Sequence, residues 1–213
     1  MADAVGDGKI PAASEVDHRM ARRREFDEGV VLDAAVQCFW ARGYESTSVK
    51  DLMERTGLTA ASLYNAYGDK RAMFRTALDQ YIESSIGARI RRCGTLPPRD
   101  AIRSFFGDIL RRSLSDRERK GCMVVNSALE LAPHDPEFCG MIVEALKRIE
   151  SFFLTCVETG QANGAITRSR PALGLAQHLL GVLMGLRVLA RVRPERPLLE
   201  GVISTALSCL DGP

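Results

Sequence analysis

The sequence predicts an all-α fold, and three observations support that prediction. Apolar residues recur at three- and four-residue spacing in almost every segment after Arg24, and no segment alternates as a half-buried strand would. The 213 residues are 46% apolar and 26% charged, a globular composition long enough to bury a substantial core. Glycines, prolines and capping side chains fall between the periodic segments, where helices begin and end.

The first four predicted helices have clear boundaries. Ser46, Thr47 or Ser48 caps a second helix of barely two turns, which ends at Gly57. Thr59 caps a third helix that runs to residue 67, and Asp69 caps a fourth whose apolar stripe continues to residue 86. Gly43 ends the first helix, whose apolar face is formed by Val30, Val31, Ala34, Ala35, Cys38 and Phe39.

Five further helices are predicted after the Pro97-Pro98 loop, over 99–114, 123–131, from Asp135 to about 160, 172–191 and 198–210. The last two are apolar over much of their circumference. A single domain of this size does not easily cover both, whereas two copies pairing them would, although burial within one subunit remains the alternative. We therefore predict a homodimer interface at Leu179, Leu180, Leu183, Leu199, Val202, Ile203, Ala206 and Leu210.

Charge and cysteine content narrow the function classes. Lys plus Arg number 29 and Asp plus Glu 27, so the net charge of +2 excludes a polycation that coats DNA or membranes. Six cysteines without a CxxC pair or a preceding export signal indicate a reducing cytoplasm. The longest uncharged run, 173–186, is shorter than the roughly 20 residues of a membrane span. We expect a cytoplasmic protein that does not enter a membrane.

The second and third helices have the spacing of a helix-turn-helix, although ordinary three-helix bundles share that spacing. The third helix offers hydroxyl and amide groups and no carboxylate, which suits phosphates and base edges in a major groove. Lys70 stands in the first turn of the fourth helix, where an anion is favoured. Arg22, Arg23 and Arg24 are placed to reach DNA as a flexible arm, with a solvated basic cluster as the alternative.

Spaced residues between about 25 and 78 agree together with one family pattern. They are Ala34-Ala35 through Phe39, Gly43-Tyr44, Thr47-Ser48-Val49, Thr56-Gly57-Leu58, Ser62-Leu63-Tyr64, Tyr67-Gly68-Asp69-Lys70 and Met73-Phe74. This pattern resembles the TetR family of bacterial transcriptional regulators. The resemblance implies a homodimer whose helix-turn-helix domains bind a palindromic DNA operator, while a divergent carboxy-terminal helical domain holds a ligand and the dimer interface.

The resemblance also implies roles for individual residues. Lys70 and either Thr47 or Ser48 would contact phosphate. The DNA-facing positions of the third helix would be Thr59, Ala60, Ala61, Ser62, Tyr64, Asn65, Ala66 and Tyr67. Because this helix carries no Arg or Lys and several alanines, we expect few base contacts, such as Asn65 to adenine, and a share of DNA shape readout.

A ligand pocket is predicted among the later helices, because helix bundles bind ligands between facing helices. Its expected lining is Phe105, Phe106, Cys122, Val125, Leu129, Phe152 and Met184, each with core packing as the alternative. Cys122 follows basic residues at a predicted helix start, and both cations and helix amides stabilise a thiolate. A redox or electrophile sensor at Cys122 is therefore an alternative to a non-covalent ligand, and an inert buried thiol is the other.

Four of the remaining cysteines and one histidine are predicted to be core residues. Cys38, Cys139, Cys156 and Cys209 fall on apolar faces and His178 fits a core position, whereas Cys93 lies in a polar stretch and is expected to be exposed. Because His18, His134 and His178 are scattered, we predict no metal, and we predict no cofactor.

Together these observations predict a repressor that is released from DNA by an unknown small-molecule effector. Residues 1–20 would form a disordered arm, 21–72 the DNA-binding domain and 73–213 the regulatory domain. A thiol enzyme is the rival class, but no histidine or carboxylate is placed by sequence to activate Cys122. An adaptor that no longer binds DNA is a third possibility. The fourth helix is the one element that the sequence places in both domains, so we expect it to transmit the signal.

Overall fold

The computed structural model describes residues 27–211, and this part of the chain contains helices and no β-strand, which confirms the all-α prediction. The predicted arm over 1–20 and Arg22–Arg24 lie outside the described residues. The helices are α1 (Glu28–Arg42), α2 (Val49–Thr56), α3 (Ala60–Tyr67), α4 (Lys70–Tyr81), a π-helical segment (Ile82–Gly87), α5 (Ala88–Cys93), α6 (Pro98–Ser115), α7 (Met123–Glu130), α8 (Pro136–Ala162), α9 (Ala172–Val192) and α10 (Arg196–Ser208).

Capping side chains begin α2, α3 and α4 where the sequence predicts. Ser48 and Asp51 form a reciprocal capping box: the Asp51 amide donates to Ser48 Oγ at 3.1 Å, and the Ser48 amide donates to the Asp51 carboxylate at 2.8 Å. Hydrogen bonds from Ser48 lower the pKa of Asp51 to about 2, so the box keeps its charge at neutral pH. Thr59 and Asp69 cap the next two helices through the amides of their N3 residues.

The first three helices pack with α4 into one small bundle. α1 lies along α4 and α2, while α3 contacts both α2 and α4. Ala35, Phe39, Leu52 and Leu63 are buried where these helices meet. Val30, predicted to lie on the apolar face of α1, is instead exposed in its first turn.

The predicted long fourth helix is interrupted. α4 ends at Tyr81, and the chain continues through the π-helical segment before returning to α-helical geometry in α5. Short π-helical turns within α-helices are frequent at functional sites. Here the segment contributes Ser85 and Ile86 to the wall of an internal cavity.

The larger carboxy-terminal bundle is built around α8, which contacts α6, α7 and α9. Its core contains four phenylalanines, with ring centroids 5.1 Å apart for Phe105 and Phe153 and 5.7 Å apart for Phe106 and Phe153. Cys93, predicted to be exposed, is fully buried, because it lies one helical turn beyond buried Arg89 on the same face of α5. Cys38 and Cys156 are buried as predicted, whereas Cys139 and Cys209 are only partly buried.

The last two helices bury most of the predicted dimer residues within one subunit. α9 packs along α8, and α10 packs on α9 and α6, so the apolar sides of both helices complete the core of their own subunit. Leu180 and Val202 are only partly buried. The interface prediction is wrong for the other six residues, which are buried inside their own subunit: Leu179, Leu183, Leu199, Ile203, Ala206 and Leu210. His178, predicted to be a core residue, is exposed because it lies on the opposite face of α9.

By length and composition, α9 is the single helix within residues 27–211 that is apolar enough to cross a membrane. Its packing indicates a core helix, because Leu175, Leu179 and Leu186 are buried against the rest of the subunit. Arg187 in the same helix donates hydrogen bonds to the Ser113 hydroxyl, at 3.2 Å, and to the Gly121 carbonyl.

Candidate DNA-binding surface and internal cavity

α3 presents an uncharged polar face to solvent. Tyr64 is 46% exposed, and Thr59, Ala61 and Asn65 are also exposed, whereas Leu63 is buried on the opposite side. The face therefore offers a phenol, an amide and a hydroxyl without a carboxylate that would repel phosphate. These groups have the donors and acceptors that DNA base edges and phosphates require.

The turn before α3 sets its direction relative to α2. Gly57 has φ +72° and ψ 7°, a left-handed conformation that glycine adopts without steric cost. Its amide donates to the Met53 carbonyl at 2.9 Å, and the Thr56 hydroxyl donates to the Leu52 carbonyl at 2.7 Å. The Leu58 amide in turn donates to Thr56 Oγ1 at 3.3 Å, so hydrogen bonds on both sides of Gly57 fix the turn.

The predicted DNA contacts differ in their accessibility. Thr47 is fully buried and its hydroxyl donates to the Gly43 carbonyl at 2.6 Å, so of the two alternatives for the phosphate contact Thr47 is wrong, and the exposed Ser48 remains the prediction. Tyr67 is half-buried, with its hydroxyl 3.5 Å from the Glu28 carbonyl. Ala60, Ser62 and Ala66 are also half-buried.

Lys70 lies between the start of α4 and the loop that leads into α2. Its Nζ is 3.4 Å from the Glu45 carbonyl oxygen and 4.4 Å from the centre of the Tyr44 ring. The side chain therefore lies against the loop before α2, and Lys70 itself stands in the first turn of α4, where backbone amides favour an anion.

A carboxylate from the carboxy-terminal bundle holds the same loop. Glu130, at the end of α7, accepts hydrogen bonds from the Tyr44 amide at 3.1 Å and the Glu45 amide at 2.8 Å. Gly43 has φ +87°, and a Cβ at this position would lie 2.7 Å from Glu130 Oε2, so glycine lets the carboxylate approach. The expectation that the fourth helix alone joins the two domains is therefore wrong, because α7 also contacts α1 and the loop before α2.

Four aromatic rings fill the space between the two bundles, and we call them the interdomain aromatic cluster: Phe39, Tyr44, Phe74 and Phe138. The Phe74 ring centre lies 5.0 Å from that of Phe39, 5.0 Å from Tyr44 and 5.1 Å from Phe138. Beside the cluster, Arg71 pairs with Asp135 and Glu137 at the start of α8 and lowers the pKa of Asp135. α4 and α8 are thus joined by both apolar and ionic contacts.

An internal cavity of about 20 Å³, enough for one water molecule, lies in the carboxy-terminal bundle between the π-helical segment, α6, α7, α8 and α9. A second cavity of about 40 Å³ shares Tyr81, Ser85, Arg89 and Arg187 with it. The predicted pocket residues Phe105, Cys122, Val125 and Met184 line the first cavity.

Cys122 is the N-cap residue of α7 and is 8% exposed. The Tyr81 hydroxyl donates to its Sγ at 3.7 Å. Burial raises the pKa of Tyr81, so this hydroxyl keeps its proton and remains a donor. The thiol is therefore a buried group in the cavity wall.

Comparison with known proteins decides the family. Residues 31–77 match the family model described as bacterial regulatory proteins, tetR family, and residues 98–205 match the Tetracyclin repressor-like C-terminal domain. The chain belongs to the TetR family. This confirms the resemblance found in the sequence and makes the protein a TetR-family transcriptional regulator.

Relatives of this TetR-family regulator align over nearly its full length. YezE of Bacillus subtilis, an uncharacterized HTH-type transcriptional regulator, is 34% identical over 90% of this chain and 100% of YezE. The Escherichia coli repressor ComR is 28% identical over 87% of this chain and 90% of ComR. A cysteine mutant of the TetR-family regulator CifR, complexed with 26-bp operator DNA, has a TM-score of 0.80 and 29% identity and covers 89% of this chain and 100% of CifR.

Three predicted pocket residues do not line the cavity of the TetR-family regulator. Phe106 and Phe152 pack within the phenylalanine core, each against the Phe153 ring. Leu129, one turn beyond Val125 on α7, is 75% exposed to solvent. Within residues 27–211, no three His, Cys, Asp or Glu side chains stand together as a metal site.

Sequence reasoning missed Arg89 and Arg187, which both line the cavity. The sequence nevertheless contained an indication that each arginine lies at a buried position. Arg89 recurs three residues after Ile86 on the apolar face, and Arg187 ends the uncharged run of α9. A basic residue within a buried stripe is rare unless it has a partner, so each position indicated a polar site.

Proposed function

We propose that this TetR-family regulator is a homodimeric, cytoplasmic repressor that binds a palindromic operator through α3. A small molecule that occupies the cavity releases it. The supporting observation is the exposed, carboxylate-free face of α3, in a chain 29% identical over 89% of its length to a CifR mutant bound to operator DNA. We also propose that the DNA-binding domain ends near residue 72, where the regulatory domain begins.

Operator recognition is proposed to combine phosphate contacts with limited base readout. Lys70 and Ser48 stand at helix amino termini, which favour phosphate, and their contacts carry no sequence information. Asn65 has the donor and acceptor that pair with adenine in the major groove. Since α3 lacks Arg and Lys, DNA shape supplies part of the specificity.

Selection of DNA fragments from the source genome by the purified protein tests this function. We expect enrichment of a palindromic site whose half-sites are about one helical turn apart, roughly 34 Å, because a two-fold dimer places two α3 helices in successive major grooves. Recovery of fragments without a common sequence would contradict the proposal.

Asn65→Ala and Lys70→Ala form a matched pair of variants at this surface. Asn65→Ala should relax the preference at one base pair in each half-site by roughly 1–3 kcal/mol, because a bidentate contact is lost. Lys70→Ala should weaken binding to all operator variants alike and reduce its dependence on salt. Titrations against an operator library measure both. An unchanged base preference in Asn65→Ala, or lost discrimination in Lys70→Ala, would show that the assigned roles are wrong.

The dimer surface is proposed on the solvent side of the last two helices. This side is lined by small residues, and the exposed Val188 and Val192 lie on it. Added Cβ atoms at Gly174, Gly181, Gly185 and Gly201 would meet nothing within 4 Å. Backbones of a second copy can therefore approach closely, as in packed helix pairs. We call this the small-residue face: Gly174, Gly181, Gly185, Gly201, Ser204, Thr205 and Ser208.

The signal is proposed to pass along α7. Cys122 and Val125 at its start line the cavity, and Glu130 at its end holds the amides that precede α2. A ligand that displaces the start of this two-turn helix therefore displaces Glu130. Release of DNA requires tighter binding of the ligand to the displaced state than to the DNA-binding state.

A thiol sensor at Cys122 is the second candidate function, favoured by the position of its Sγ in the cavity wall beside the Tyr81 hydroxyl. Alkylation of Cys122 by iodoacetamide should then weaken operator binding, because the adduct does not fit a cavity of about 20 Å³. Cys122→Ser should abolish that response and keep basal binding. An equal response in Cys122→Ser would leave the non-covalent ligand as the effector.

A further inference from the structure

The cavity contains a guanidinium group with no hydrogen-bond partner. Arg89 is 6% exposed, and its Nε makes no hydrogen bond with any residue in the described range 27–211. Its guanidinium lies 5.3 Å from the centre of the Phe105 ring. A buried charged donor without an acceptor costs free energy, so its presence calls for an explanation.

The nearest carboxylate does not neutralise this end of the cavity. Asp108 lies 3.9 Å from Arg89 Nε, beyond hydrogen-bond distance, and is itself paired with Arg92 and Arg111. Three guanidinium groups thus share one buried carboxylate.

Further positive charge lines the second cavity. Arg112 from α6 and Arg187 from α9 line the second cavity together with Arg89. Asp116, also in that wall, accepts hydrogen bonds from the Glu118 and Lys120 amides. Burial, followed by the charges of Arg112 and Arg187, lowers the pKa of Arg89 to about 10, so the guanidinium remains charged at neutral pH but is poorly compensated.

Most of the remaining cavity wall is apolar, although Tyr81, Ser85 and Cys122 also line it. Ile109, Val125, Leu146, Ile149 and Met184 face the space from four different helices. One end of the cavity is therefore cationic and the other is hydrocarbon.

We infer that this cavity binds an organic carboxylate with a compact apolar body, whose carboxylate pairs with Arg89 and whose body lies against Ile109, Val125 and Met184. A guanidinium matches a carboxylate in bidentate geometry, which a neutral ligand does not exploit. Arg187 is less available, since it already bonds Ser113 and Gly121.

Cavity size links this ligand to regulation, and this step rests on the proposed function. About 20 Å³ holds one water molecule and not the body of an organic acid. The acid therefore binds a wider state of the bundle, in which the start of α7 or the π-helical segment has moved outward. Binding shifts the population toward that state and away from the one in which Glu130 holds the loop before α2.

Benzoate and hexanoate are the probes, with benzamide and hexanamide as uncharged counterparts of the same shape. Calorimetry and thermal unfolding of the full chain without DNA measure binding. We expect both acids to bind and to raise the unfolding midpoint, and the amides to bind at least tenfold more weakly. Equal binding of acids and amides, or no binding of either acid, would overturn the inference.

Arg89→Gln should weaken acid binding at least tenfold and leave amide binding unchanged, whereas Arg103→Gln, on the exposed side of α6, should bind acids like the unaltered protein. Met184→Trp fills the apolar end and should weaken acids and amides together. Acid binding that survives in folded Arg89→Gln would overturn the assignment of the carboxylate site.

Operator affinity measured with and without benzoate separates this inference from the proposed function. A protein that binds its operator but ignores both acids overturns the carboxylate site and leaves the repressor proposal intact. A protein that binds acids through Arg89 but recognises no operator supports the site and removes the repressor proposal.

Discussion

Gly181→Arg combined with Gly185→Arg should convert the dimer into a monomer and lower operator affinity by about 10²-fold or more. Both glycines lie on the small-residue face, where added side chains meet nothing in their own subunit. In a monomer the arginine side chains would extend into solvent. In a dimer they would hold the backbones of the two paired helices apart. In a dimer, binding of the first half-site makes binding of the second an intramolecular event, which raises the overall affinity roughly 10²–10⁴-fold. A monomer loses that gain in affinity.

Sedimentation and operator titration check this result, and Gly140→Arg is the control. Gly140 is also an exposed helical glycine with nothing within 4 Å of an added Cβ, but it lies on α8, away from the small-residue face. It should remain dimeric. A soluble dimer in the double variant would place the interface on another surface.

Phe74→Ala should lower the free energy of unfolding by about 3–5 kcal/mol, the usual cost of truncating a fully buried phenylalanine. Phe74 touches the three other rings of the interdomain aromatic cluster, two from the DNA-binding bundle and one from α8. The cavity left behind therefore weakens both bundles and the contact between them. At roughly 2–4 °C per kcal/mol, the unfolding midpoint should fall by about 6–20 °C.

Leu129→Ala is the matched control for Phe74→Ala, because Leu129 is apolar but 75% exposed. Its effect should stay within about 0.5 kcal/mol. Chemical denaturation of both variants measures the difference. A loss below about 1 kcal/mol in Phe74→Ala would show that the cluster repacks and does not fix the two bundles together.

Features encoded by neighbouring residues were predictable from sequence. The capping residues Ser48, Thr59 and Asp69 act within three positions of themselves, so their roles can be inferred without knowing the fold. The exposed polar face of α3 follows from the same local periodicity.

Features that join distant parts of the chain were not predictable. Glu130 accepts hydrogen bonds from backbone amides about 85 positions earlier, and the residues around Glu130 in the sequence do not indicate which amides these are. The apolar residues of α9 and α10 posed a related problem, since hydrophobicity shows that a face is covered but not whether its own subunit or a second copy covers it. For that reason, Leu183 and Ile203 were predicted to lie at the dimer interface, although they are buried within their own subunit.

The π-helical segment also has a consequence for helical phase. Phe74, Leu78, Ile82 and Ile86 are all buried at intervals of four residues. Three α-helical turns take about 10.8 residues, so this stripe of 12 positions contains roughly one residue too many for a regular α-helix. The wider π turn absorbs that residue and keeps the following turn aligned with the core. Deletion of Ser84 would remove that extra residue, so the segment should return to regular α-helical geometry with Arg89 still facing the cavity.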